Sequence, residues 1–160
     1  MTHNIAVAVT AGALAVLLPA LPAGAAVTVH GTVAGTYSST PSNPDTGHAY
    51  KLTARGHTSL GSTTARGTVQ GPGNVATGRC TARLTLATSK GTIVVALRSQ
   101  KQVKSFASCR NGFAFNWHTA RATGDYQGSS PSGTGTLTLV ARTHASRTPP
   151  PAYVTFDPSH

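Results

Sequence analysis

The chain has 160 residues and sets 13 Lys and Arg against 3 Asp and no Glu, a formal net charge of +10 at pH 7. So few carboxylates argue against active sites built on paired acids, and the basic excess favours anionic partners. The length allows one domain with a substantial core and is too short for two.

The first element in chain order is an export signal. Ile5 to Leu18 is an unbroken run of apolar, small or Thr residues, followed by Pro19, Pro22 and "AGAA". This predicts a secretory signal peptide over residues 1–26, cleaved near Ala25–Val27, with an uncleaved anchor as the alternative. The run is shorter than the roughly 20 residues of a comfortable membrane span, and no later segment approaches that length. The mature chain is therefore expected outside the cytoplasm, extracellular or periplasmic, with no membrane attachment.

From there the dominant signal is alternation with period two, the signature of half-buried strands. "VTVHGTVAGTY" puts Val27, Val29, Val33 and Tyr37 on one parity. "HAYKLTAR" sets Tyr50 and Leu52 against Lys51, Thr53 and Arg55. "CTARLTLATSKGTIVVALRSQ" reads as a β-hairpin: Cys80, Ala82, Leu84 and Leu86 face inward, Ser89 to Gly91 turns, and Ile93, Val95 and Leu97 face inward again. "GFAFNWHTA" places Phe113, Phe115 and Trp117 on the apolar face, and "TLTLVAR" sets Leu137 and Leu139 against Thr138 and Arg142. "SSTPSNPDTG", "GPGN", "QGSSPSGTG" and "SRTPPP" read as turns or loops. The expected organisation is a β-domain over 27–148, then a Pro-rich linker and C-terminal strand or tail over 149–160.

Seven or eight short strands predict an all-β fold, either a single antiparallel β-barrel or a β-sandwich. The barrel is favoured because glycines at 31, 35, 56, 61, 67 and 78 fall within or beside strands, where they permit tight bends. Trp117 follows both cysteines, which departs from the Cys, Trp, Cys order of an immunoglobulin domain. In an oxidising compartment Cys80 and Cys109 are expected to form a disulfide, since the hairpin register brings Cys80 opposite about residue 100, at the end where the following loop lies.

The Gly-rich stretch "ATGDYQGSSPSGTGTLTLV" tests for chemistry. Gly128 and Gly133 have P-loop spacing, but Thr134 stands where that loop needs Lys, and a strand follows. A calcium loop needs several oxygen ligands, and Asp125 is the sole carboxylate in the stretch. A connection between strands is left, with glycines supplying positive φ. The stretch also resembles the G-T-G-x-[YF]-x-G-x-x-G-x-G pattern of dirigent and allene-oxide-cyclase-like β-barrels and of secreted bacterial proteins built similarly. Ala122 replaces the first Gly and the spacing after Gly128 is longer. The resemblance covers about 20 residues and implies a barrel. Active members of those families use acidic and polar groups inside the barrel, which this chain scarcely supplies.

Other constellations point away from catalysis, metal and cofactors. Asp45, Asp125 and Asp157 each lie beside Gly or Pro, where Asp commonly stabilises turns. There is no G-x-S-x-G elbow for a hydrolytic triad. His30, His48, His57, His118 and His144 lack metal-ligand spacing. The charge is the remaining lead. Arg55, Arg83, Arg98 and Arg142 fall on outward parity, and Lys101, Lys104 and Arg110 cluster after the hairpin. Arg55, Arg83, Arg98, Lys101, Lys104 and Arg110 are accordingly the candidate ligand-binding residues for a polyanion: a wall polymer, an acidic polysaccharide, or nucleic acid without sequence preference. The leading expectation is a secreted, non-enzymatic binding module. The alternatives are a small-ligand carrier or cyclase-like enzyme with a cavity lined by Tyr37, Tyr50, Trp117 or Tyr126, and a structural envelope component.

Overall fold

The computed structural model describes residues 26–40, 49–72, 78–104, 109, 112–141 and 148–158. The signal segment up to residue 25, Asp45, His48, Arg110, Arg142 and His144 lie outside the described residues. Eight strands follow one another around a closed antiparallel barrel: β1 (Gly31–Ser39), β2 (Ala49–Thr58), β3 (Gly61–Gln70), β4 (Thr81–Thr88), β5 (Gly91–Ser99), β6 (Phe113–Ala122), β7 (Ser132–Leu139) and β8 (Pro151–Pro158). Each strand pairs with the next, and β8 pairs with β1 to close the ring. Closure leaves no long sheet edge open to pairing with other chains. The C-terminal segment is thus the eighth stave, with Val154 opposite both Val33 and Leu137.

Alternation converts directly into layers. Val33, Leu52, Leu84, Leu86, Ile93, Val95, Phe115, Leu137, Leu139, Val154 and Phe156 are all buried in one cluster that fills the interior. Their sequence neighbours, chiefly Thr and Ala with Lys51 and Arg83 among them, face out. This is the inverse of a transmembrane barrel, which turns its apolar side chains toward lipid. Among the described residues no helix is long and apolar enough to cross a membrane.

Two tight turns share a design. Thr58-Ser59-Leu60-Gly61 and Thr88-Ser89-Lys90-Gly91 each join paired strands, and in each the Thr Oγ1 accepts a hydrogen bond from the backbone N–H two residues on, at 3.2 Å from Leu60 and 3.1 Å from Lys90. The first turn opens β3, a strand that the apolar alternation does not announce. Its inward residues are Thr63, Ala65, Gly67 and Val69, too small to read as an apolar face.

The Gly-rich stretch is only partly a connection. Gly124 (φ 64°) and Gly128 (φ 81°) shape the turn after β6, as expected. Gly133 and Gly135, in contrast, belong to β7, opposite Trp117 and Phe115 on β6. A Cβ on Gly135 would lie 2.1 Å from the Thr155 carbonyl oxygen and 2.7 Å from the Phe115 ring. The glycines make room for the rings. Phe156 meets Phe115 and Trp117 edge to face, with centroids 6.0 and 5.8 Å apart. "QGSSPSGTG" therefore ends in strand, and β7 stops at Leu139, short of Arg142.

Cys80 and Cys109 are bonded, with Cα atoms 5.8 Å apart. The expected pairing of Cys80 near residue 100 is met at Ser99. Its N–H donates to the Cys80 carbonyl at 2.8 Å, and its hydroxyl accepts from the Cys80 N–H at 3.1 Å.

Candidate functional site

The outward residues of β3 to β6 form a lattice that the registers define. One row across these four strands reads Gln70, Thr81, Arg98, Asn116; the next reads Thr68, Arg83, Ala96, His118; the third reads Arg66, Thr85, Val94, Arg121. Arg66, Arg83 and Arg98 step diagonally, one per strand, each displaced by two residues from its neighbour. Diagonal outward neighbours lie about 7–8 Å apart at the backbone. On the far side stand His118 and Arg121. Between them Thr85, Val94 and Ala96 form a low floor, and the whole makes a groove of about 780 Å³.

Arg121 reaches this face through an irregularity. Phe115 and Trp117 face inward, so unbroken alternation would send residue 121 inward too. The ladder instead shifts between Val94 and Val95, pairing Val95 with Thr119 and Val94 with Arg121 and leaving Ala120 as a bulge. A bulge adds one residue and resets the facing of all that follow. Arg121 thereby points out beside Val94, and Ala122 points in opposite Ile93.

Of the candidate residues, Arg83 and Arg98 lie in the groove. Arg55 is exposed on β2 opposite Thr64, a diagonal step from Arg66, and extends the basic face with Lys51. Lys101 and Lys104 are exposed beyond β5, outside the groove lining. Arg66 and Arg121 were not legible as site residues, because β3 lacked an apolar face and β6 carries a bulge. A signal for the first did exist: "TSLG" repeats the "TSKG" that marks the recognised hairpin turn. Arg79 is committed elsewhere, donating to the Ser99 and Gln100 carbonyls beside the disulfide.

The described carboxylates, Asp125 and Asp157, lie outside the groove lining. Asp125 is exposed in the 3-10 turn Gly124–Tyr126, and its N–H donates to the Lys90 carbonyl at 2.9 Å. Asp157, expected in a turn, faces out from β8 opposite Thr134, four strands around the ring from β4. The Arg guanidinium groups of the groove therefore meet no carboxylate among its lining residues. Such a face attracts anions from solution.

The interior holds the side chains weighed as cavity lining. Tyr37, Tyr50, Trp117 and Tyr126 are buried in the core cluster. The Tyr37 hydroxyl donates to the Val140 carbonyl at 2.8 Å, Trp117 Nε1 donates to the Thr134 carbonyl at 2.9 Å, and the Tyr126 hydroxyl bonds Thr88 Oγ1 at 2.8 Å. Their polar atoms brace the ends and seams of the barrel. The buried polar residues among those described are Thr63 and Ser99, both hydrogen-bonded. Among the described residues, no group of three or more His, Cys or Asp could hold a metal ion.

Comparison with protein-family models, curated proteins and solved structures finds no match to this chain.

Proposed function

We propose that the mature protein is a secreted, non-enzymatic β-barrel module that binds an extracellular polyanion on the outer wall of β3 to β6. The observation that carries this reading is the groove in which Arg66, Arg83, Arg98 and Arg121 surround a floor of small residues with no carboxylate in the lining. A filled interior supports a surface site over a small-ligand cavity, since Tyr37 packs against Tyr50 and Trp117 against Phe156 in the buried core. Export fits the same picture. The N-terminal apolar run reads as a signal peptide, and the disulfide is of the kind that persists in oxidising compartments.

The mechanism is charge neutralisation. Each Arg that contacts a phosphate or sulfate releases condensed counterions, so affinity falls with salt at about 0.9 log units per contact on duplex DNA and about 0.7 on single strands. Retention on immobilised heparin at rising NaCl tests this. Wild type is expected to hold beyond 0.15 M NaCl, where screening has a Debye length of about 8 Å. The pair Lys101→Ser with Lys104→Ser should elute close to wild type. Release of wild type below that salt would show the charge to be scattered solvation.

A further inference from the structure

Resting on that reading, we infer that the groove takes one flexible chain of phosphodiester-linked polyols, and that it holds each phosphate through guanidinium geometry as well as charge.

Three features of the groove lead there. Its permanent cations are all arginines: Arg66, Arg83, Arg98 and Arg121 line it, whereas Lys51, Lys90, Lys101 and Lys104 stand outside the lining. A guanidinium presents a rigid fork of donors that pairs two oxygens of a phosphate at once, and an ammonium offers a point charge. The second feature is the single-file order. One Arg per strand along β3, β4 and β5 matches a row of anions crossing the strands diagonally, with Arg121 closing the far side.

The third is the shape and chemistry of the floor. Thr85, Val94 and Ala96 sit lower than the Arg and His side chains around them, and Arg83 and His118 stand on strands two apart, about 10 Å between backbones. A single polymer chain can descend to that floor and lay its aliphatic spacers on Val94 and Ala96. A duplex cannot, because its own grooves are already about 6 to 12 Å wide and it would rest on the side-chain tips. No Phe, Tyr or Trp lines the groove, so bases of a single strand meet only the His118 imidazole and the guanidinium planes, without the row of large rings on which successive bases stack. A stiff pyranose chain meets the same lack of a Phe, Tyr or Trp ring.

The test compares delipidated poly(glycerol phosphate), heparin, single-stranded DNA and duplex DNA at equal anion concentration in 0.15 M NaCl, using wild type, the pair Arg83→Lys with Arg98→Lys, and the control Lys90→Arg, at a residue exposed in the β4–β5 turn outside the groove lining. The expected result is binding of poly(glycerol phosphate) at least tenfold tighter than either DNA or heparin. The double Lys variant should lose about tenfold with its salt slope nearly unchanged, because the charge is kept and the fork is lost. The control should match wild type. Unchanged thermal unfolding of the variants shows that the barrel is intact. Tighter binding of heparin or of either DNA, or a double Lys variant within threefold of wild type, would overturn this inference while leaving polyanion binding in place. Failure of wild type to bind any of the four polymers would overturn both.

Discussion

The two sides of this barrel share one core and differ completely outside it. From β3 to β6 the outward positions carry Arg66, Arg83, Arg98, His118 and Arg121 around small residues. From β7 through β8 to β1 they carry Thr134, Thr136, Thr138, Tyr153, Thr155, Asp157, Thr32 and Thr36, with no Lys or Arg on any of the three strands. Thr32 and Thr155 even bond to each other across the closing seam, at 3.1 Å. Charge added for solubility alone has no reason to avoid three adjacent strands. Its segregation is what supports placing the proposed polyanion site on the basic wall.

The largest loss is expected where the four guanidinium groups of the basic wall are removed together. Replacing Arg66, Arg83, Arg98 and Arg121 together by Ser should weaken heparin binding about a thousandfold, roughly 4 kcal/mol, and flatten the salt slope, because four cations no longer displace counterions from the polymer. Replacing Thr134, Thr136 and Thr155 by Ala on the other wall should change it less than twofold. Equal losses on both walls would erase the distinction. Isothermal titration at several salt concentrations reads affinity and slope for both variants.

Next in size is the clamp at the end of the basic wall. Cys80 precedes β4 and its bond to Cys109 closes a loop with a sequence separation of 29, which on the chain-entropy model stabilises the fold by about 3 to 4 kcal/mol. Cys80→Ser with Cys109→Ser should lower the unfolding free energy by that amount in urea. It should leave heparin affinity nearly unchanged wherever the barrel remains folded, because the Arg lattice is held by the ladders. A folded double mutant that no longer binds would show that the site depends on the clamp.

The smallest effect sharpens what lies beneath the hydroxyl wall. There the inner layer is aromatic, with Phe115, Trp117 and Phe156 packed over Gly133 and Gly135. Gly135→Ala inserts a methyl where there is no space, and should cost about 1 to 3 kcal/mol by thermal unfolding, without altering polyanion binding. A neutral result would mean that β7 and β8 part easily.

These contrasts also explain what the sequence made legible. Strong alternation with large inward residues exposed β2, β4, β5 and most of β6, and the hairpin register located the disulfide partner end. Where inward residues are small, as in β3 with Thr63, Ala65 and Gly67, periodicity carries little signal although the strand is regular. Gly133 and Gly135 misled in the opposite sense, because they resemble loop glycines while serving two rings on a neighbouring strand. The site was half visible for the same reasons: Arg83 and Arg98 lie on clear strands, Arg66 lies on the quiet one, and Arg121 faces out only because Ala120 bulges. A bulge depends on pairing with β5, which no local pattern encodes.

Backbone amide shifts during titration with long-chain inorganic polyphosphate report whether anions dock on one wall. The largest shifts are expected on Arg66, Thr68, Arg83, Thr85, Ala96, Arg98, His118 and Arg121, with those of Thr134, Thr155 and Thr32 nearly still. Shifts centred on β7, β8 and β1, or spread evenly around the barrel, would contradict it.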